Sequence, residues 1–460
     1  MESIIPEDTI AAISTPPGTG GIAVIRISGK NAINIVNKAW KGADLSSASS
    51  HSLHLGRYFS LDGNMLDEAV AAVFISPSSF TGEDVVELSV HGSPYIQREL
   101  LNDLVRRGVR IAEPGEFTKR AFLNGKLDLA QAEGVADLIS SSSKAAHDMA
   151  INQTKGNFSR EFEVLRDRLI EFASLMELEL DFSEEDVEFA QRDKLIKLCN
   201  EISEKVSRLA ASYSSGSVLK EGVPVVIAGI PNAGKSSLLN LLLNEDKAIV
   251  TDIPGTTRDL IEGTSEIDGV LYRFIDTAGL RDTSDVVEEI GVGRALKALD
   301  KAYIVIWIID GISKLGPQMV HLKKFKEDYP DKHIILIRNK VDLGKTIEGN
   351  EVNEEFNSCI DFSNVSKEGY RELLQRLHEL STAGQDVEKD IIVTNARHYE
   401  SLSKASVSLQ RVCAALNEGL SGDLVAQDIR EAIYHLGSIT GSITTDHLLH
   451  SIFSRFCIGK

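Results

Sequence analysis

Apolar positions follow three successive patterns along the chain, and each predicts its own kind of fold. Over residues 1–121, short apolar runs are separated by turn-forming clusters. Ile10–Ile13 and Ile22–Ile27 read as strands, split by the turn sequence Pro16-Pro17-Gly18-Thr19-Gly20-Gly21. Ala69–Ile75 and Val85–Val90 add two more, so a mixed α/β domain is expected. Over residues 122–221 the period lengthens. Phe162, Leu165, Leu169, Phe172, Met176 and Leu180 recur at three- and four-residue steps, the stripe of an amphipathic helix. The acidic run Ser183–Glu188 interrupts it and reads as a solvated loop or helix start. At Pro224 the pattern changes again. Val225–Ala228 is a buried-type strand, and strands alternate with helical segments through residues 222–383, which implies a mostly parallel sheet with helices on both faces. A polar linker, Ser381–Asp386, precedes a return of helical periodicity over residues 384–460. An α/β domain is thus inserted between two helical stretches, which are expected to pack as one helical domain.

Size and composition narrow the class. The chain has 460 residues, enough for about three domains at roughly 100–200 residues each. No apolar run approaches the ~20 residues of a membrane helix; the longest, Ala302–Ile309, has strand length. The N-terminal MESIIPEDTI lacks the basic region and long apolar core of a secretory signal. Cys199, Cys359, Cys413 and Cys457 lie far apart without metal-ligand spacing. No disulfide framework is expected, which fits a reducing cytoplasm. Net charge is −19, so nucleic-acid binding has no global electrostatic sign and would need a local patch or a partner.

The chemistry is concentrated in residues 222–383. Gly229-Ile230-Pro231-Asn232-Ala233-Gly234-Lys235-Ser236 matches G-x-x-x-x-G-K-[ST], after a strand and before an apolar helical run. Glycines let the backbone N–H groups face phosphates, and the helix N-terminus adds positive potential. Lys235 would reach the β- and γ-phosphates and Ser236 would ligate Mg²⁺. Ile275-Asp276-Thr277-Ala278-Gly279 places an acid at a strand end, where it can hold Mg²⁺ through water, and Gly279 can turn its N–H toward a γ-phosphate. Asn339-Lys340-Val341-Asp342 follows another strand. A carboxylate at Asp342 can accept from N1 and N2 of guanine, a donor pair that adenine lacks, so GTP is expected over ATP. Together the three motifs look like a Ras-like GTPase domain. Ser363-Asn364 stands where Ser-Ala is usual in the fifth element of such domains, which weakens the base contacts expected from that loop.

Hydrolysis needs a device other than the usual glutamine, because Leu280 occupies that place and cannot hold water. Thr257 is the natural switch ligand for Mg²⁺. The side chain of Asn232, with backbone carbonyls near Thr251 and Ile253, could cage a monovalent cation beside the phosphates. Arg258 or Arg281 acting directly is the rival.

The P-loop with Asn232 and the loop TDIPGTTRD resemble those of potassium-activated GTPases. The flanking stretches PPGTGG (16–21), SFTGED (79–84), PGEF (114–117), AFLN (121–124), KLDLAQAE (126–133) and FCIGK (456–460) narrow the resemblance to the tRNA modification GTPase family MnmE (TrmE), over essentially the whole chain. It implies an N-terminal folate-binding and homodimerising domain (1–121), a helical domain in two parts (122–221 and 384–460), and an inserted G domain (222–383). It also implies work with the FAD protein MnmG (GidA), in a heterotetramer or larger assembly. Together they would add an aminomethyl-type group to carbon 5 of the wobble uridine (position 34) of certain tRNAs, with 5-formyl- or 5,10-methylene-tetrahydrofolate supplying the one-carbon unit. The partner would supply much of the tRNA grip, and no membrane is implied.

By position, the resemblance assigns K⁺ to the Asn232 side chain and the Thr251, Ile253 and Thr256 carbonyls, Mg²⁺ to Ser236 and Thr257, and water orientation to Glu288. Nucleotide contacts would extend through Ala233, Gly234, Lys235 and Ser237, and through Asp252, Pro254 and Gly255 of the cation loop. Asp276, Thr277, Ala278 and Gly279, then Asn339, Lys340 and Asp342, then Ser363 and Asn364 complete them. Pro254 departs from a familiar alanine, stiffening the loop without removing the Ile253 carbonyl. The folate site maps to Arg26, Glu87, Lys126 and Lys460, where carboxylate suits the pterin donors and cations suit the glutamate tail.

The terminal SRFCIGK has three readings: a prenylation box, the end of a helix with an inert cysteine, or part of an active site. Prenylation fails on chemistry, since Gly459 is not aliphatic, Lys460 is a poor terminal residue and no polybasic run precedes it. The resemblance favours the third, with Cys457 a catalytic thiol near the one-carbon donor. Outside the family, the alternative function is an RNA-binding switch GTPase in ribosome assembly, although no compact basic domain is evident.

Overall fold

The computed structural model describes residues 8–181, 192–245, 263–276, 299–344, 359–382, 386–387, 390–418 and 422–459. Two units divide the chain, one of residues 1–136, 153–170 and 433–460, the other of 137–152 and 171–432.

The first unit is built on a seven-stranded sheet. Its strands are β1 (Ile10–Ile13), β2 (Ala23–Ser28), β3 (Trp40–Gly42), β4 (Ser52–Phe59), β5 (Met65–Phe74), β6 (Val85–Val90) and β7 (Arg110–Ile111), in the order β3-β4-β5-β6-β2-β1-β7. Neighbours are antiparallel except β1 and β7. The period of two sends Ile25 and Ile27 of β2 into the core with Val86 and Leu88 of β6, and turns Arg26 and Glu87 to the opposite face. Helices α1 (Ala32–Asn37), α2 (Pro94–Arg106) and α3 (Glu116–Leu123) accompany the sheet. Leu100 and Leu104 of α2 join the core, and the buried Tyr58 hydroxyl donates to Asp103 of the same helix at 2.9 Å. The pattern of apolar residues did not mark β3, β4 or β7. In β4 the reason is visible: Leu53 and Leu55 are exposed while Gly56 and Tyr58 face inward, so its alternation runs against the usual sense.

Next come α4 (Leu129–Ser140), α5 (Lys144–Thr154) and α6 (Asn157–Asp181). The expected stripe is borne out: Phe162, Leu165, Leu169, Phe172 and Met176 of α6 are all buried. The acidic run 183–188 lies outside the described residues.

In the second unit α7 (Arg192–Ala211) and α8 (Tyr213–Glu221) lead into a six-stranded sheet. Its members are β8 (Val223–Gly229), β9 (Gly263–Ile267), β10 (Val270–Asp276), β11 (Ile304–Asp310), β12 (His333–Asn339) and β13 (Cys359–Asp361), in the order β13-β12-β11-β8-β10-β9. Every pair is parallel except β9–β10, as the alternation predicts. Helices α9 (Lys235–Glu245) and α11 (Tyr370–Thr382) cover one face, packing Leu238 and Leu373 on Val225, Ile227 and Ile306. Helix α10 (Leu315–Asp328) covers the other, packing Met319, Leu322 and Phe325 on Val226, Val305 and Trp307. Buried on both sides, β11 is a continuous apolar run.

Two expectations are corrected here. Ser381 and Thr382 do not begin a linker. Both are buried at the end of α11, and the Ser381 hydroxyl lies 3.0 Å from that of Tyr272. Cys199 and Cys413 form a disulfide, with Cα atoms 6.0 Å apart, between α7 and α12 (Ala396–Glu418). The two helices lie side by side, as the 3.0 Å contact between the Ser207 and Ser406 hydroxyls shows. A separation of 214 residues hides that pairing from any spacing argument.

After α13 (Gly422–Thr440), α14 (Asp446–Phe453) returns to the first unit. Thr445 caps it by accepting from the Leu448 amide, and Leu449, Ile452 and Phe453 pack with Leu129 and Phe122. Among the described residues no helix is long and apolar enough to cross a membrane.

Candidate active site

The nucleotide site grows from the turn between β8 and α9. Gly229 has φ +147°, and a side chain there would meet the Ile308 carbonyl at 2.4 Å. Asn232 takes the left-handed region at φ +61°, which asparagine tolerates better than most residues, and Gly234 follows at φ +102°. Lys235 is buried, and its ammonium donates to the carbonyls of Gly229 at 3.0 Å and Ile230 at 2.8 Å. The loop is thereby closed around a cation that an arriving phosphate can take over. Asn232, Ser236 and Ser237 are exposed around it.

The ends of three strands complete this site. The Asn339 amide donates to the Ala233 carbonyl at 2.7 Å and so pins the P-loop to the end of β12. Lys340, at φ +68°, donates to Asp310 at the end of β11 at 2.9 Å. Burial alone would raise the Asp310 carboxyl; hydrogen bonds from Lys340, the Ile312 amide and the Ser313 hydroxyl outweigh it and hold the group below its usual range. Asp342 is exposed in the turn that follows. Ser363 is buried and accepts from the amides of Val365 and Ser366, which shapes the loop that carries Asn364. Asp276 ends β10, in register with Ile227.

A second constellation lies in the first unit. Arg26 and Glu87 are direct cross-strand partners on β2 and β6, joined at 2.8 Å. The Arg26 guanidinium lies over the rings of Phe80 and Phe117, 5.4 and 5.6 Å from their centres. The chain's last described residues dock beside it. Cys457 is exposed, and its carbonyl accepts from the amide of Gly115, two residues before Phe117. The Gly459 carbonyl accepts from the Ser14 hydroxyl at 3.0 Å. Gly459, at φ +98°, sits so close that a side chain would meet the Ile13 carbonyl at 2.3 Å. Lys126 is exposed and donates to the Pro77 carbonyl at 3.0 Å.

Two family models match the chain: the GTP-binding protein TrmE N-terminus over residues 9–126, and the MnmE helical domain over residues 129–457. A tRNA modification GTPase MnmE of Christiangramia forsetii is 48% identical over 98% of this chain and 99% of its own. One of Parabacteroides distasonis is 49% identical over 98% and 100%. The chain belongs to the MnmE (TrmE) family of tRNA modification GTPases. The solved G domain of the T. maritima FeoB iron transporter is 29% identical over 35% of this chain and 98% of that one, with a TM-score of 0.27, too low to bear on the fold.

In this MnmE-family chain the P-loop, Asn339, Lys340, Ser363 and Asn364 come together. Arg26 and Glu87 come together elsewhere, with the Cys457 segment nearby. Thr251, Asp252, Ile253, Pro254, Gly255, Thr256, Thr257, Thr277, Ala278, Gly279, Glu288 and Lys460 lie outside the described residues, as do Arg258, Leu280 and Arg281. Reading the sequence missed Asp310, although an acid closing an apolar strand is the signal that marked Asp276. It also missed Arg120. That guanidinium is buried and donates to Glu83 at 3.1 Å, Glu116 at 3.1 Å and Asp8 at 2.7 Å. It thus ties the loop bearing Phe80 to the helix bearing Phe117. Glu116 and Arg120, four apart on α3, were the available hint.

Proposed function

We propose that this protein is a potassium-activated GTPase that works with the FAD protein MnmG to add a (carboxymethyl)aminomethyl group to carbon 5 of uridine 34 in certain tRNAs, with a tetrahydrofolate as one-carbon donor. The observation that carries this reading is the Arg26–Glu87 pair, with the Arg26 guanidinium over the rings of Phe80 and Phe117, in a chain that also bears the closed P-loop of a GTPase. The part-exposed Phe80 ring suits a flat pterin, Glu87 suits its amide-like donors, and Arg26, Lys126 and Lys460 suit an anionic tail. Cys457 would act beside the one-carbon donor.

At the nucleotide site Lys235 would bind the β- and γ-phosphates and Asp342 the guanine N1 and N2. Mg²⁺ would be held by the hydroxyls of Ser236 and Thr257. K⁺ would be held by Asn232, Thr251, Ile253 and Thr256, with the exposed Asn232 side chain as a fitting neutral oxygen donor. The cations would neutralise charge on the phosphates, while Glu288 orients water. The working boundaries are 1–121 for the folate-binding and homodimerising domain, 222–383 for the G domain, and 122–221 with 384–460 for the helical domain. With a net charge of −19, the grip on tRNA falls largely to MnmG.

The test is nucleoside analysis of tRNA from a deletion strain. Loss of the modified wobble uridine is expected, with restoration by the wild-type chain but not by Lys235→Ala or Glu87→Gln; unchanged nucleosides would sink the proposal. GTP turnover in KCl should exceed that in NaCl, and equal rates would remove the potassium element alone.

A further inference from the structure

We infer that Cys199 and Cys413 form a thiol-operated clamp. Exchange with small-molecule thiols and disulfides of the glutathione class opens and closes it, and the closed form slows GTP turnover.

The helix pair does not need the bond to stay together. On α7 the buried Cys199, Ile202 and Val206 recur at three- and four-residue steps, and on α12 Ala405, Leu409 and Val412 do the same. That is the seam of two helices packed along their length. Opening the bond also strands no buried donor. The Cys199 sulfur lies 3.7 Å from the Leu409 carbonyl, so a thiol formed there has an acceptor in place. Open and closed forms are therefore both folded.

Access to the two sulfurs differs. Cys199 is fully buried in the seam, whereas Cys413 stands beside it, half-buried and next to the exposed Ala414. A thiolate arriving from solvent meets Cys413 first. It bonds to the Cys413 sulfur, the bond to Cys199 breaks, and Cys199 leaves as a thiolate that takes up a proton. A second thiolate attacks the outer sulfur of that mixed disulfide and releases Cys413, which is protonated in turn. Two small thiols are thus oxidised to one disulfide while the protein pair is reduced. Closing is the reverse, with a small-molecule disulfide as the oxidant.

What the clamp grips is the mount of the nucleotide-binding sheet. Helix α7 leads through α8 into β8, and α12 follows α11 on the way out. Their contacts run antiparallel: Cys199 to Cys413, Ser207 to Ser406, then Ser212 to Val393. In the last of these the Val393 amide donates to the buried Ser212 hydroxyl at 3.0 Å, at the end nearest the sheet. With the bond closed, the pair is fixed at both ends and cannot slide. Binding, hydrolysis and release each rearrange the loops that hold nucleotide, and a sheet on a fixed mount resets more slowly.

The full chain, equilibrated with glutathione and its disulfide in graded ratio, tests this. Alkylation and mass read the bond, and GTP turnover is measured in the same samples. As the disulfide share rises, the wild-type pair should close and turnover should fall severalfold; added thiol should restore it. Glutathione trapped on the pair should sit on Cys413. Cys413→Ser and Cys199→Ala should each keep the open-state rate throughout. Both retain Cys359 and Cys457, so oxidation of those thiols cannot supply the difference. A wild-type pair that closes with turnover unchanged, variants that slow as wild type does, glutathione on Cys199, or a bond that opens only in denaturant would overturn the inference.

Discussion

The two candidate sites are assembled in opposite ways. The nucleotide site is mostly backbone: a short contiguous turn, set by the conformations of Gly229, Asn232 and Gly234, with strand ends brought up behind it. The Arg26–Glu87 site is mostly side chain. Its pair is 61 residues apart, its rings come from a loop and a helix, and its rim includes the end of the chain. A backbone site tolerates change in the residues between its glycines. A side-chain site depends on how distant segments are held, here by Arg120 and its three carboxylates.

The sharpest way to break this contrast is Lys235→Ala. GTP turnover should fall roughly 10²–10³-fold, the scale for removing a preorganised charge partner, while folate binding stays unchanged; a parallel loss of folate binding would mean that the sites are not independent. Next, Arg120→Met should leave the largely buried Glu83 without its cation, and Asp8 and Glu116 with Arg110 alone, and destabilise the first unit by about 3 kcal/mol. Trp40 and Trp307 are the only two tryptophans, one in each unit. Denaturation of the Trp307→Phe chain therefore reports the Trp40 unit alone.

Acid should act on the same cluster. Burial alone would raise Asp8 and Glu116, but hydrogen bonds from Arg110 and Arg120 outweigh it, and both carboxyls fall below their ordinary values of 3.8 and 4.5. The unfolded chain then binds more protons. The stabilisation is therefore complete above those ordinary values and is lost as pH falls through the lower, folded ones. The Trp40 transition should weaken more steeply in acid than that of Trp307, whose unit holds Asp310 in the same sense. Equal slopes would contradict this. Smaller in effect, Glu87→Gln should weaken folate binding roughly tenfold through one charge-assisted hydrogen bond, with GTP turnover unmoved in the same preparation. Smallest of all, Gly459→Ala should undock the tail. Wobble modification should drop severalfold, and the melting temperature should barely change.

The contrast also explains what could be read in the sequence. Gly229 through Ser236 announce their chemistry because the ligand is held by neighbours in the chain, and the period of β11 and β12 announces the sheet behind them. Arg26 announces nothing: a lone arginine between isoleucines reads as a strand's outward face until β6 brings Glu87 opposite it. Only resemblance to a family points there. Strand β4 escapes for a different reason, its leucines facing outward against the expected alternation. Cys199 and Cys413 escape because helices α7 and α12 meet only in the folded chain.

That bridge gives the molecule a covalent topology. Everything from β8 to β13, the whole nucleotide-binding sheet, lies on a loop that the Cys199–Cys413 bond closes. A protease nick anywhere on the loop would convert one chain into two polypeptides that still travel as one. Such a nicked molecule would run at full mass in non-reducing electrophoresis and split in two after addition of a thiol.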